Sequence, residues 1–358
     1  MIDGQPGSRS RWLGASGDIA HDIREMVDDV WNRKNVGLFH DYVAPTAIVH
    51  TSTGDRIGPD ATIADVFRTL AGFPDLRTTV HDVIWRPFES RQAGCSASFR
   101  WSWSGHNTGY SIYGPPTGRL VTATGITTLS IRQGMIVEAW IAADTSTIVE
   151  GLGIGTTTLL PALRANRLTH IPAADIVGEI ISPLMESPQV DSGNAAPDVG
   201  ASLRQRLHDI WNRRLLGTIA DLYAPSCHRH GTGGRERQGH HELTHDTVAL
   251  LATFPDLRLF IDDLFWVDEG NARYRAAMRW SIIGTHDGPG VWGGPTGRRI
   301  RITGATHQHI RHDQIVEEWV VWDELSLLAR LHVPLMDLSV DDGDTGDAPV
   351  GDDSTIDE

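Results

Sequence analysis

Lysine is almost missing from this sequence of 358 residues: Lys34 is the single example, and arginine supplies the rest of the positive charge. Schiff-base and pyridoxal mechanisms need a desolvated lysine amine, whereas Lys34 lies in the polar stretch WNRKN at a helix end, which argues against both. Cysteine is nearly as scarce. Cys95 and Cys227 make neither a disulfide framework nor a thiolate zinc site, and both read as small core residues. No run of eighteen apolar residues occurs, and the opening MIDGQPGSRSRWLGASGD has no apolar signal core, so a cytoplasmic protein without a membrane partner is expected. Clusters of basic residues interleaved with aromatics are lacking as well. Of the net charge of −15, nine acidic residues between Asp337 and Glu358 leave −6 on the remainder. Segment 336–358 therefore reads as a disordered acidic tail, and the mildly acidic body repels phosphate backbones, which argues against a nucleic-acid partner.

What the sequence does contain is a repeat, in a chain long enough for two domains. DDVWNRKNVGLFHDYVAP from Asp28 recurs as HDIWNRRLLGTIADLYAP from His208, 180 residues later. FPDLR at Phe73 recurs at Phe254, GPPTGR at Gly114 matches GGPTGR at Gly293, and IVEAWIAAD at Ile136 matches IVEEWVVWD at Ile315. Four tryptophan pairs keep the frame: Trp31 and Trp211, Trp85 and Trp266, Trp101 and Trp280, Trp140 and Trp319. The expected division is 18–155 and 202–335, joined by a linker at 156–201 that contains a possible helix.

Each copy has the same order of elements. Ile19, Ile23, Met26, Val27 and Val30 share a helical face after Asp18, as do Leu203, Leu207 and Ile210 after Ser202, where Gln205 suggests a capping box. A short helix, a brief strand and a helix opened by Gly58-Pro59 follow, with Ile63, Phe67 and Leu70 at helical spacing. Four alternating strands complete the unit. Helices first and an antiparallel sheet afterwards predict an α+β fold: two tandem cone-shaped α+β barrels, each a curved sheet wrapped around helices with a pocket for a small-molecule ligand.

GTHDGPGVWGGPTGRRIRITGATHQHI followed by IVEEWVVWDELSLLARL resembles the SnoaL-like polyketide (ester) cyclases of the nuclear transport factor 2-like superfamily. WN in the first helix, His50 and His230 at the end of the first strand, and the FPDL turn fit the same family. The resemblance implies ring closure of a polyketide ester by intramolecular aldol condensation, using acid/base side chains and no metal or organic cofactor. It also implies pairing through sheet faces, here an intramolecular pseudo-dimer of the two repeats with further homo-oligomerisation open. The family's cyclases carry a histidine on the penultimate strand and an aspartate on the last. Those positions fall on Thr306 and Thr127, and on Val320 and Ile141, so neither copy keeps the pair.

Several side chains remain candidates. On IRITGATHQHI, Ile300, Ile302, Gly304, Thr306 and Ile310 share the expected inner face, leaving His307 and His309 outside, where two imidazoles at i and i+2 could chelate a metal but a sheet surface or subunit contact is favoured. An imidazole at His230, or its counterpart His50, suits a general base or a carbonyl anchor. His286 holds the histidine position of GTHxG, where the first copy places Asn107, with His106 one residue early. Glu318, replaced by Ala139 in the first copy, is a candidate proton shuttle or else a rim charge paired with an arginine. Asp323 and Asp144 read as catalytic or ligand-binding carboxylates or as helix N-caps. Asn212, Trp280 and Thr306 complete the expected ligand contacts. HELTH at 241–245 matches the H-E-x-x-H of zinc peptidases, but its histidines lie on the solvent side of their helix, so a zinc hydrolase is the minor alternative. Two functions stay open: a cofactor-independent cyclase-type enzyme acting on an apolar carbonyl or ester through the second copy, or a non-catalytic ligand-binding or assembly module.

Overall fold

The computed structural model describes residues 13–14, 16–88, 94–155 and 198–332. The expected acidic tail and nearly all of the expected linker, including its possible helix, lie outside the described residues. In the first copy, helix α1 (Ile19–Val27) runs into a π turn at Asp28–Asn32, and α2 (Phe39–Tyr42) follows. Strands β1 (Val43–Thr51) and β2 (Gly54–Ile57) lead to α3 (Gly58–Gly72); β3 (Arg77–Pro87), β4 (Gly94–His106), β5 (Leu120–Arg132), β6 (Met135–Ala143) and α4 (Thr145–Gly151) complete it. The second copy repeats the order: α5 (Val199–Trp211), α6 (Thr218–Leu222), β7 (Tyr223–Gly231), β8 (Arg235–Gln238), α7 (Gly239–Thr253), β9 (Arg258–Asp268), β10 (Arg273–Thr285), β11 (Arg299–Arg311), β12 (Gln314–Trp322) and α8 (Glu324–His332). Among the described residues no helix is long and apolar enough to cross a membrane.

Local chemistry accounts for the helix ends. Asp18 caps α1 by accepting the amide N–H groups of Ala20 at 2.9 Å and His21 at 3.3 Å. The second copy differs from the expected capping box: Asp198 caps α5 through the Ala201 amide at 3.1 Å, and Ser202 already lies in the first helical turn. Ile19, Ile23, Met26 and Val27, and likewise Leu203, Leu207 and Ile210, are buried as the spacing predicts. Helix α3 is turned relative to expectation, since Val66 is buried while Phe67 is 56% exposed. The second copy's β7–β8 turn has one extra residue, so the counterpart of buried Thr247 is Val66, not Phe67.

The two sheets have orders β2-β1-β6-β5-β4-β3 and β8-β7-β12-β11-β10-β9. Both are mixed rather than purely antiparallel, because β1 pairs parallel with β6 and β7 parallel with β12. On each inner face a glycine opens room for an indole: a Cβ at Gly125 would lie 2.1 Å from Trp101, and one at Gly304 2.3 Å from Trp280. The buried core of the second copy is one cluster running from Val199 to Leu331. In the first copy it is divided, with Ile23, Val43 and Leu129 in one cluster and Phe73, Trp103 and Val121 in another.

The outer faces of the two sheets meet. Ile126, Ala305 and Val321 form one apolar contact between the copies, and Ile84, Phe265 and Ala277 another. The charged contacts obey the repeat: Arg100 covers Trp319 and Arg279 covers Trp140, each guanidinium carbon 4.0 Å from the ring centroid. His307, fully buried on the outer face of β11, meets Ser98 Oγ of the other copy at 2.9 Å through Nε2.

Candidate functional site

A cavity of about 490 Å³ lies inside the first copy, between the two clusters that divide its core. Val30 of the π turn after α1, Val43 and Val49 of β1, Leu129 of β5, and Ala139 and Ile141 of β6 supply apolar wall, with Trp101 and Trp103 as aromatic surface. Tyr113, on the loop between β4 and β5, also lines it. One end is polar. There Arg56 of β2 donates from Nε to Asp65 Oδ2 at 2.6 Å, and Arg68 pairs with the same carboxylate from α3. Thr51, Thr53 and Thr69 stand beside these charges, and Asp65 is the one carboxylate among the described lining residues. The geometry offers a long apolar chamber with guanidinium donors at one end, which suits a ring-bearing molecule carrying a carbonyl or an anionic group.

The same space in the second copy is crossed by its own side chains. Tyr223, Arg229, Gln308 and Glu318 replace Val43, Val49, Leu129 and Ala139. Glu318, 2% exposed, accepts Arg229 Nε at 2.6 Å, Gln308 Nε2 at 2.7 Å and the Tyr223 hydroxyl at 3.3 Å. Arg229 Nη2 donates in turn to the Tyr223 hydroxyl at 2.9 Å. Burial alone would lower the Arg229 pKa, but the adjoining Glu318 carboxylate outweighs it and raises it; burial and the same carboxylate push the Tyr223 phenol up. The nearby Cys227 thiol is pushed up to about 12 by burial and by Glu318. Arg229, Tyr223 and Cys227 are thus each held in one protonation state near neutral pH. At the mouth, Trp292 and Trp322 stand where the first copy has Tyr113 and Ala143, packed edge to face with centroids 5.9 Å apart. Trp292 Nε1 donates to Glu324 Oε1 at 2.6 Å, and Arg235 pairs with Glu324 at 2.9 Å.

Most of the expected site residues are elsewhere. His230 lies on the outer face of its sheet, its ring stacked on Trp319 at 5.1 Å, with Nδ1 2.9 Å from Glu236 and Nε2 3.3 Å from Glu317. His50 does the same against Trp140, Asp55 and Glu138. Neither enters a cavity, because the period of two gives the inner positions to Arg229 and Val49. His286 is buried in the loop after β10. Its Nδ1 lies 3.1 Å from Thr296 Oγ1, and its backbone N–H donates to Arg298; Asn107 organises the matching loop by bonding Gly72, Gly109 and Thr117. The Asn107 side chain holds loop backbone, whereas His286 does so through its own N–H and carbonyl, its ring reaching only the Thr296 hydroxyl. Asp144 accepts the Thr147 amide as an N-cap and the Gly233 amide of the other copy at 2.7 Å, while Asp323 accepts the Ser326 amide at 3.0 Å and pairs with Thr145. Burial raises the Asp323 pKa. These two aspartates join the copies rather than face a ligand. Asn212 ties α5 to β9 through both the N–H and the carbonyl of Leu259, so it is structural. His241 and His245 are exposed, Glu242 accepts the Gln238 amide, and among the described residues no third donor joins the HELTH pair.

Comparison with known families decides the kinship. The model of the SnoaL-like polyketide cyclases matches residues 21–152 and again 201–331. The chain belongs to the SnoaL-like polyketide cyclase family. Similar solved structures include IdmH from Streptomyces antibioticus, 26% identical with a TM-score of 0.33 over 38% of this chain and 100% of that one. TsrD from Streptomyces laurentii is 21% identical, with a TM-score of 0.32 over 37% and 96%. A SnoaL-like polyketide cyclase from Agrobacterium tumefaciens is 17% identical, with a TM-score of 0.30 over 37% and 96%. No curated protein matches the chain.

In both SnoaL-like copies the position expected for the cyclase histidine is a threonine bound to an indole. Trp101 Nε1 donates to Thr127 Oγ1, and Trp280 Nε1 to Thr306 Oγ1, each at 2.9 Å. Thr306 and Trp280 are buried inside the second copy and Thr127 and Trp101 line the cavity of the first. Sequence reasoning passed over Arg229 and the Arg56–Asp65–Arg68 group. The signal for Arg229 is a double replacement, Val49 by Arg and Ala139 by Glu, at two positions the parallel β7–β12 pairing brings together.

Proposed function

We propose that this protein is a small-molecule-binding member of the SnoaL-like family whose first copy holds an apolar, ring-bearing carbonyl or ester compound. The second copy serves as its rigid counterpart, the intramolecular equivalent of a dimer partner. The observation that carries the reading is the 490 Å³ chamber of the first copy, set against the Tyr223–Arg229–Gln308–Glu318 network that occupies the same space in the second. Arg56 and Arg68 supply hydrogen-bond donors for the ligand's polar end, and the indole of Trp101 a flat wall for its rings. Binding rather than cyclisation is favoured because the two acid/base positions carry Thr127 and Ile141.

A second reading rests on Asp65, the carboxylate that lines the chamber: it would act as a general base on a proton next to the ligand's carbonyl. Native mass spectrometry of the purified chain, with and without added anthraquinone carboxylate, tests the first reading; one retained molecule per chain is expected. No retained or added ligand at any ratio would refute it. Asp65→Asn separates the two, since binding persists on either reading while any turnover of a bound ester is lost only on the second.

A further inference from the structure

The outer face of the second sheet carries a group of side chains that the chamber does not use. We propose that His228, His230 and Glu236 form a binding site for a divalent transition-metal ion of the zinc class. His228 and His230 stand two residues apart on β7 and so share a face, their ring centroids 4.4 Å apart. The antiparallel pairing of β7 with β8 sets Glu236 opposite His230. Glu236 Oε2 lies 2.8 Å from His228 Nε2 and 2.9 Å from His230 Nδ1, and one donor atom from each residue falls within a 4.8 Å set. With metal–ligand bonds of roughly 2.0–2.2 Å, tetrahedral donors sit about 3.3 Å apart, so the carboxylate would withdraw by a few tenths of an ångström and the two imidazole nitrogens, within 4.8 Å of each other, would close on the ion.

The surroundings match what a metal-bound imidazole requires. His230 Nε2 lies 3.3 Å from Glu317 Oε1; a carboxylate accepting that ring N–H leaves the Nδ1 lone pair directed at the ion. Glu317 is itself held, its other oxygen 3.4 Å from His309 Nδ1, and Trp319 fixes the His230 ring plane by stacking at an interplanar angle of 9°. Surface ion pairs alone do not account for the arrangement, because the first copy offers the comparison. His50, Asp55, Glu138 and Trp140 repeat the scaffold there, but Ile48 takes the position of His228 and Ser130 that of His309. Only the second copy adds the imidazole that completes three donors. The fourth position is left to water, and a bound ion would pin edge strand β8 to β7.

The test is calorimetric titration of the tag-free, chelator-treated full chain with zinc chloride alone. One ion per chain is expected, with affinity falling at least tenfold in His228→Ile, which installs the first copy's residue, and equally in His228→Gln, which keeps a polar side chain of similar size. The double variant H241A/H245A, which removes the competing HELTH pair, is expected to bind as the parent does. Failure of the parent to show saturable binding, undiminished affinity in both His228 variants, or loss of binding in the HELTH variant would each overturn the proposal.

Discussion

The two interiors share a backbone plan and differ in what fills it. In the first copy Val43, Val49, Leu129 and Ala139 leave a chamber; in the second Tyr223, Arg229, Gln308 and Glu318 close the space with hydrogen-bonded charge. Duplication allows this division, because one copy can exchange an apolar void for a hydrogen-bonded polar core without loss of the other's pocket. The comparison also shows that a buried glutamate in a cup-shaped fold is not evidence of acid/base chemistry. Glu318 is taken up by three donors, one of them cationic, which tie it to its own copy's side chains.

The largest effect should come from breaking that network on one side. Glu318→Ala strands Arg229 in the interior and is expected to cost about 3–5 kcal/mol in urea unfolding. Installing all four residues of the first copy, Tyr223→Val, Arg229→Val, Gln308→Leu and Glu318→Ala, should cost less than the single change, since it leaves no buried charge behind. A fourfold variant less stable than Glu318→Ala would show that the network is not the unit described. Next in size, Ile141→Trp fills the first chamber and should weaken anthraquinone carboxylate binding at least tenfold, whereas Val320→Trp at the matching position of the second copy should leave binding unchanged.

Acid should expose a third asymmetry at the contact between the copies. Burial lowers the pKa of His307 from its ordinary 6.5, although the nearby Asp82 carboxylate works against this. The unfolded chain therefore takes up the proton first, and stability should fall as pH drops through about 6.5. Asp82 adds a later loss. Burial opposes its charge, but the neighbouring His307 ring, 3.7 Å away, and the paired Arg275 guanidinium outweigh burial and depress its pKa, so its contribution is present above its ordinary 3.8 and is lost as pH falls below it. Thermal melting between pH 8 and pH 5 should show the first loss in the parent and a flatter profile in His307→Gln. The smallest effect is expected at His230: on the outer sheet face, His230→Ala in chelated buffer should change stability by no more than about 0.5 kcal/mol and leave ligand binding intact.

The architecture was legible because its signals are local and doubled. Helical spacing in α1 and α5, alternation along β11, and tryptophans in matched frames all point to one fold used twice. The site was less so, and the reason is parity. In YAPSCHRHG nothing apolar marks the inner face after Cys227, whereas the matching stretch of β1 buries Ala47 and Val49 and thereby turns His50 outward. Reading His230 through that first copy would have placed it outside. Arg229 and Glu318 are 89 residues apart and have meaning only as a pair, which a strand-by-strand reading does not reveal. The caps at Asp144 and Asp323 and the loop anchors His286 and Asn107 owe their burial to tertiary contacts that no local pattern encodes.

The central claim is that the ligand chamber belongs to the first copy, with hydrogen-bonded polar side chains at the matching positions of the second. Fluorescence titration of the full chain with anthraquinone carboxylate, in the parent and in the Ile141→Trp and Val320→Trp variants, tests it most directly. One saturable site per chain, lost in Ile141→Trp and kept in Val320→Trp, is the expected result. Two equivalent sites, or a single site lost in Val320→Trp and kept in Ile141→Trp, would contradict it.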